Sequence, residues 1–171
     1  MTVRVTPQII CDIIKDGMSL LDSQIWIYNQ RREIPQDKKL YIVVGLLSSA
    51  IYGNTSKQSN DPLVTDMPET LTQYVKESIT VNLFSYTTEA LERYPEVIGS
   101  MMSTYSQRIQ EAQALKIFSI PSNVNDVSAV EGSSLLNRTS ITLQVLRKYD
   151  MILNADYYDR ITPGYVALVD K

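Results

Sequence analysis

The sequence contains no histidine among its 171 residues. Histidine is the commonest general base near neutral pH, and its imidazole is a frequent metal ligand. Without it, no Ser-His or Cys-His nucleophile pair can form within this chain. The composition therefore argues against the largest classes of hydrolase.

Cysteine is almost as scarce, since Cys11 is the only one. A single thiol forms neither an internal disulfide nor a zinc site built from several thiolates, and such usage is typical of a reducing compartment such as a cytoplasm. Cys11 has no basic residue beside it in sequence that would favour its thiolate. We interpret it as a small, buried apolar residue.

Concentrated positive charge is also missing. The 16 lysines and arginines are scattered, and the formal net charge is −3. A protein that binds nucleic acid electrostatically needs a basic stripe, so direct DNA binding is not expected. The Walker loop and the G-x-G-x-x-G turn are absent as well, and we expect no cofactor.

Long apolar runs are absent too. The Ile9–Ile14 segment is interrupted by Asp12 and followed by Lys15. It is too short and too polar for a signal peptide or a membrane helix. The sequence predicts neither an export signal nor a membrane anchor.

Carboxylates are the remaining candidates for chemistry. The closest grouping is Asp150, Asp156 and Asp159, in which Asp156-Tyr-Tyr-Asp159 has oxygen ligands for a hard cation. Calcium and magnesium sites need more ligands at set spacing, so we interpret these residues, and likewise Asp126 and Glu131, as solvated turns. We expect no catalytic residue, no metal site and no enzymatic activity.

The chain has the length of one domain, and we treat residues 1–171 as a single unit. Thr6-Pro7 is expected to cap a helix with isoleucines on one stripe, which Gly17 ends. Residues 24–28 and 40–44 are rich in β-formers, and the second run is apolar enough to be buried on both faces. A long polar loop or flexible arm is predicted at 53–68.

The second half of the chain adds two long strands around one long helix. Ile79, Val81 and Leu83 alternate with polar residues in a strand at 69–85. A helix is expected to begin at Glu89, restart at Pro95 and continue to about residue 114. Residues 116–120 are expected to be a short strand, 123–137 irregular, and 138–152 a long strand.

This order of elements predicts an α+β fold. Strands and helices are clustered instead of alternating regularly, which favours a largely antiparallel sheet with helices on one side. We expect one long helix and a shorter N-terminal helix on that sheet, the arm at 53–68 and a C-terminal extension at 155–171.

Tyrosine is the most biased residue type, with eleven tyrosines against two phenylalanines. Tyrosine is enriched on surfaces that a partner covers but leaves partly wet. Tyr157, Tyr158 and Tyr165 are therefore either interface anchors or ordinary strand-face and core residues.

Stretches in three parts of the chain form a recognisable pattern: 24–30 (QIWIYNQ), 89–93 (EALER), and 136–141 (LNRTSI) leading into 145–150 (VLRKYD). Their order and spacing resemble the tail-terminator group of neck proteins from long-tailed bacteriophages. The resemblance covers residues from about Asp22 to Asp159.

The resemblance implies a virion protein that assembles in the host cytoplasm. Members of such families form a ring, typically of six copies, on the last ring of the tail tube. The ring stops tail polymerisation and joins the tail to the head connector, while genomic DNA passes through its channel without specific binding. The implied partners are further copies of the chain, the tail tube protein and the head connector or adaptor proteins.

A ring of this kind requires two different adhesive patches on each subunit. The 53–68 arm and the 155–171 extension are the two candidates. The candidate subunit-interface residues are Asn54, Ser56, Lys57, Asn60, Asp61, Tyr157, Tyr158 and Tyr165.

Two other structural or binding roles and one catalytic role are compatible with the sequence. A head-completion or connector-adaptor protein would lie one layer higher in the same neck. A small cytoplasmic binding module would be a stable monomer with a deep tyrosine-lined pocket. An enzyme built on carboxylates and tyrosines alone is the least favoured, because histidine and the usual motifs are missing.

Overall fold

Three long strands run through the centre of the molecule and carry shorter elements on their flanks. The computed structural model describes residues 5–28, 33–58, 68–119, 124–131 and 134–154. Within these ranges the elements are α1 (Thr6–Met18), β1 (Ile25–Ile27), β2 (Tyr41–Gln58), β3 (Pro68–Ser85), α2 (Glu89–Glu92), α3 (Tyr94–Met102), α4 (Thr104–Ala112), β4 (Leu115–Ser119), β5 (Val124–Asp126), β6 (Ala129–Glu131) and β7 (Ser134–Asn154).

The sheet has the strand order β1-β2-β3-β7-β4, with β5 and β6 also paired to β7. Among the described strands, only β1 and β2 pair in parallel, and every other pairing is antiparallel. The prediction of an α+β protein with a largely antiparallel sheet is confirmed.

The main core lies between one face of this sheet and the helices. Ile79 pairs with Leu143, and Val81 pairs with Ile141 and with Val44. All of these side chains are buried on the same face, because alternate residues of a strand point to the same side. The expected alternation in β3 is therefore confirmed. The helices add buried residues to the same cluster: Ile9, Ile10, Ile13, Ile14, Ala90, Val97 and Met101.

A smaller cluster lies on the opposite face of the sheet. Trp26, Tyr41 and Val43 are buried there, with Ile34 and Phe84 packed against them. The ring centroids of Trp26 and Tyr41 are 5.8 Å apart. The start of β2 is thus buried on both faces, as its apolar run predicts.

The long helix expected at 95–114 is instead two helices. Ser103 has an extended backbone with ψ 157°, and its hydroxyl accepts a hydrogen bond from the Ser106 backbone N–H. A serine in this position caps a new helix and ends the continuous one. Met102 at the end of α3 and Tyr105 in α4 are exposed.

The ends of α1 also differ from expectation. Val5 is its N-cap residue, and Ser19 in the left-handed conformation (φ 53°) ends it. Gly17 lies inside the helix, where a Cβ atom would overlap Ser100 of α3. The glycine therefore permits a close helix crossing and is not a terminator.

Two segments predicted to be irregular contain strands. Residues 124–126 and 129–131 form β5 and β6, which add to the outer edge of β7. Residues 53–58, the first part of the expected loop, pair with residues 69–74. The strand-to-strand hydrogen bonds come from the backbone, so polar side chains do not prevent the pairing. The remainder of the expected arm, 59–67, and the extension at 155–171 lie outside the described residues.

Candidate interaction surface

One half of the sheet, at the end of β2 and β7 and the start of β3, extends beyond the part that β1 and most of the helices cover. We call it the distal ribbon, and it consists of residues 46–58 of β2, 68–78 of β3 and 144–154 of β7. β1 pairs only with Ile42, Val43 and Val44 on the outer edge of β2. On the other side, β6, β5 and β4 cover the outer edge of β7 only as far as Arg147.

Within the described part of the chain, the outer edge of the distal ribbon on β2 is open, and its outer edge on β7 is open beyond Lys148. No described strand pairs with the outer edge of β2 after Val44, or with the outer edge of β7 after Arg147. One further bond joins the Lys148 N–H to the Ala114 carbonyl at 3.2 Å. An open edge presents backbone donors and acceptors to which another chain can pair.

Large apolar side chains are exposed on the ribbon. Leu47 is 65% and Ile152 is 75% exposed. Ile51 is also exposed and pairs with Val75, whereas Ile152 pairs with Thr70. Because positions 70 and 75 lie on opposite sides of β3, both faces of the ribbon carry an exposed isoleucine. Such apolar surface is typical of a contact with another protein.

The ribbon also carries aromatic and charged groups. Tyr52 and Tyr74 form a tilted ring pair with centroids 6.1 Å apart. Lys148 donates a hydrogen bond to Asp150 at 2.8 Å, and Thr72 donates one to the same carboxylate at 2.6 Å. These two bonds, with Lys148 first, lower the pKa of Asp150. The surface is therefore mixed rather than wholly apolar, as in interfaces of subunits that also exist free.

A buried polar network joins the base of the ribbon to α1. The Thr6 hydroxyl donates a hydrogen bond to Glu77 and accepts one from Arg147 Nη1 at 2.9 Å. Glu77 is only 7% and Arg147 only 4% exposed, and the Arg147 guanidinium lies 4.8 Å from the ring centroid of Tyr149. Burial is the main cause of the raised pKa of Tyr149. The network connects the first turn of α1 to both β3 and β7.

A groove opens where β1 ends, beside the base of the ribbon. We call this cavity of about 580 Å³ the proximal groove. Its walls include the exposed residues Val5, Tyr28, Leu46 and Leu47, and Arg138 lies among its polar lining.

The structure places the predicted interface residues unevenly. Asn54, Ser56 and Lys57 are exposed on β2 in the distal ribbon, and Ser56 donates a hydrogen bond to Glu69. The other five predicted residues lie outside the described part of the chain: Asn60, Asp61, Tyr157, Tyr158 and Tyr165.

Sequence reasoning missed the apolar part of this surface. Leu46, Leu47 and Ile51 look like a continuation of the buried run at 40–44, and Ile152 like the end of a core strand. The signal that indicates this exposed surface is strand length. β2 has 18 residues and is far longer than the helices that cover it, so part of the strand stays uncovered.

Little in the described residues suggests reaction chemistry. Burial is the main cause that raises the pKa of the Cys11 thiol to about 12, so the thiolate is not available. Hydrogen bonds from the hydroxyl and the backbone N–H of Ser128 lower the pKa of Asp126, the exposed last residue of β5. Among the described residues, no three acidic or cysteine side chains come together as metal ligands.

Comparison with known proteins adds no family assignment. No protein-family model matches this sequence, and no curated protein is significantly similar to it. Within the described ranges, no helix has the length and apolar character needed to cross a lipid bilayer.

Proposed function

We propose that this chain is a structural subunit of a bacteriophage neck. Several copies, six in the resembled family, form a ring on the end of the tail tube. The ring stops tail polymerisation and joins the tail to the head connector, and DNA passes through it without specific binding. A connector-adaptor protein of the same neck is the closest alternative role.

The distal ribbon is the observation that carries this proposal. It has two open edges and exposed apolar side chains on both faces, among them Leu47, Ile51 and Ile152. A free subunit would keep this surface in water at a cost of ~25 cal/mol for each Å² of apolar area. Covering it with further protein removes that cost, and a ring of identical subunits supplies the cover.

The positions of the adhesive features suit a cyclic arrangement. The distal ribbon and the proximal groove differ in shape, since the groove is a concavity that includes Leu46 and Leu47 at the base of the ribbon, whereas the rest of the ribbon runs on to Gln58. Contacts between unlike patches generate rings when the rotation closes. A symmetric dimer would instead bring two copies of the same patch together.

Electron microscopy and mass measurement of the purified protein test the assembly. The wild-type chain is expected to form rings with a central hole. The double variant Ile51→Lys, Ile152→Lys is expected to remain monomeric with an unchanged melting temperature, because both side chains are exposed. Leu21→Lys is the matched control, since Leu21 is exposed in the turn between α1 and β1. A stable wild-type monomer at high concentration would contradict the proposal.

Deletion of the gene in the phage that encodes it tests the biological role. A terminator deletion is expected to give filled heads and unjoined tails, with tails of abnormal length. Unjoined tails of normal length would assign the chain to the adaptor layer instead. Infectious, joined particles would contradict a role in the neck.

A further inference from the structure

We propose that the Asp156–Asp159 segment of one copy binds in the proximal groove of a second copy. This inference rests on the proposed assembly. It states which part of a neighbouring subunit is bound by the segment that follows the distal ribbon. The groove chemistry, the segment chemistry and the reach of the chain each support it.

The groove has apolar walls that suit aromatic rings. Leu46, Leu47 and Tyr28 are all more than half exposed and face the same cavity. Tyr28 lies close over the backbone of Gly45, where a Cβ atom would be 3.3 Å from the Tyr28 Cβ. The close approach leaves most of the tyrosine ring and both leucines available to a ligand.

Arg138 supplies the only charge among the described residues that line the groove. Its Nη2 donates to the Asn82 side chain at 3.1 Å, and its guanidinium lies 5.1 Å from the ring centroid of Phe84. Its Nε is buried and has no hydrogen-bond partner among the described residues. None of the ion pairs between described residues includes Arg138. A ligand with a carboxylate would supply the missing opposite charge.

The Asp156-Tyr157-Tyr158-Asp159 segment has the complementary composition. Two carboxylates flank two tyrosines, so one short piece of chain offers rings for the apolar walls and an anion for Arg138. Tyrosine suits this position because its ring is apolar while its hydroxyl stays hydrated at the rim.

The segment is too short to bind in the groove of its own chain. Asn154 and Arg138 are sixteen residues apart in β7, which corresponds to about 54 Å at ~3.4 Å per residue. Asp159 follows Asn154 by five residues, which span at most about 18 Å. The segment therefore meets a groove only on another copy, near the far end of the ribbon.

Cysteine cross-linking between differently tagged full-length chains tests the contact. One chain carries Tyr158→Cys and the other carries Leu47→Cys, while the buried Cys11 is retained in both. Mild oxidation is expected to give a mixed-tag product. Gly99→Cys replaces Leu47→Cys in the control, because position 99 is exposed on α3 and a Cβ atom there would have no neighbouring atom within 4 Å. The control should give at least about tenfold less product.

A charge exchange tests the role of Arg138. Asp156→Lys with Asp159→Lys in the first chain is expected to lower the mixed product about tenfold. Adding Arg138→Glu to the second chain should restore it. Arg138 packs on Phe84, so thermal unfolding checks that this variant folds, and Arg138→Gln provides a second measurement that removes the charge at similar size.

The results separate this inference from the ring proposal. Rings in the microscope with no more Leu47 product than Gly99 product would overturn the groove contact and leave the ring intact. Loss of both rings and product would contradict both. Product that is unaffected by the lysine variants and by Arg138→Gln would overturn the assignment of Arg138.

Discussion

At the scale of single residues, the structure assigns roles that residue type alone does not reveal. Thr6, Gly17 and Ser103 all have the character of helix-end residues in the sequence. Only Ser103 caps a helix. Thr6 instead bonds Glu77 and Arg147, and Gly17 lies at a helix crossing. Each difference arises from a neighbour that is distant in sequence.

Gly17→Ala is expected to destabilise the protein by ~1–3 kcal/mol. The added methyl group would overlap Ser100, whose hydroxyl donates a hydrogen bond to the Glu96 carbonyl at 2.7 Å, so α1 and α3 must separate. Urea denaturation measures the change. Gly99→Ala is the control, since nothing contacts that position and alanine favours the helix by up to ~1 kcal/mol. Equal stability of the two variants would contradict the close crossing.

Thr6→Val is expected to destabilise the protein by ~2–3 kcal/mol. The change keeps the shape of the side chain and removes the hydroxyl that bonds two buried charged groups, Glu77 and Arg147. Thr104→Val is the matched control, because Thr104 is also the first residue of its helix but is exposed. Denaturation curves of the two variants should differ clearly. A loss below ~0.5 kcal/mol for Thr6→Val would show that the network adds little.

At the scale of elements, periodic patterns were predictable and edge pairings were not. The alternation of Ile79, Val81 and Leu83 identifies β3 because one face of that strand is buried. β5 and β6 have three residues each and are held by backbone bonds to β7, which leave no side-chain period.

On the candidate surface, too, some features were predictable from the sequence and others were not. Asn54, Ser56 and Lys57 were predicted to be interface residues in a polar arm, and the structure places them, exposed, on β2. The exposure of Leu46, Leu47 and Ile51 depends on where the covering elements stop, which is a property of the tertiary structure. An apolar residue looks the same in sequence whether a helix or a partner covers it.

Ser103→Ala is expected to lower stability by ~1 kcal/mol. The variant leaves the Ser106 N–H at the start of α4 without its side-chain acceptor. Thermal unfolding followed by far-ultraviolet circular dichroism measures the effect. Ser103→Asp retains a capping oxygen and should stay close to wild type. If both variants lost the same stability, the cap would not be the cause.

At the scale of the whole molecule, the compact core and the distal ribbon share the same three strands. The isoleucines of α1 and the inner half of the sheet form the core, whereas the ribbon is anchored through Glu77 and Arg147. Removing surface from the ribbon should therefore weaken assembly without unfolding the core.

Hydrogen exchange is expected to separate these two regions. In the isolated subunit, amides of 46–58 that point to the open edge should exchange quickly, while those of α1 and central β3 should be protected. In the proposed ring, exchange of the 46–58 amides should become slower by at least about tenfold, because a neighbour would cover them. Central β3 is the internal control. The same rapid exchange before and after assembly would show that this edge stays open.

The position of β7 in the chain has a consequence for how the protein is made. β7 pairs with β3, β4, β5 and β6, all of which are synthesised before it. The contacting residues Thr80 and Ser140 are 60 residues apart in sequence. On the ribosome, β3 therefore waits without one of its two neighbours while the helices and the small strands are translated. The edge of β3 that pairs with β7 stays open for that time, and such nonlocal pairing folds slowly. Until β7 is made, this edge can pair with other unfinished chains, which favours aggregation of the nascent protein.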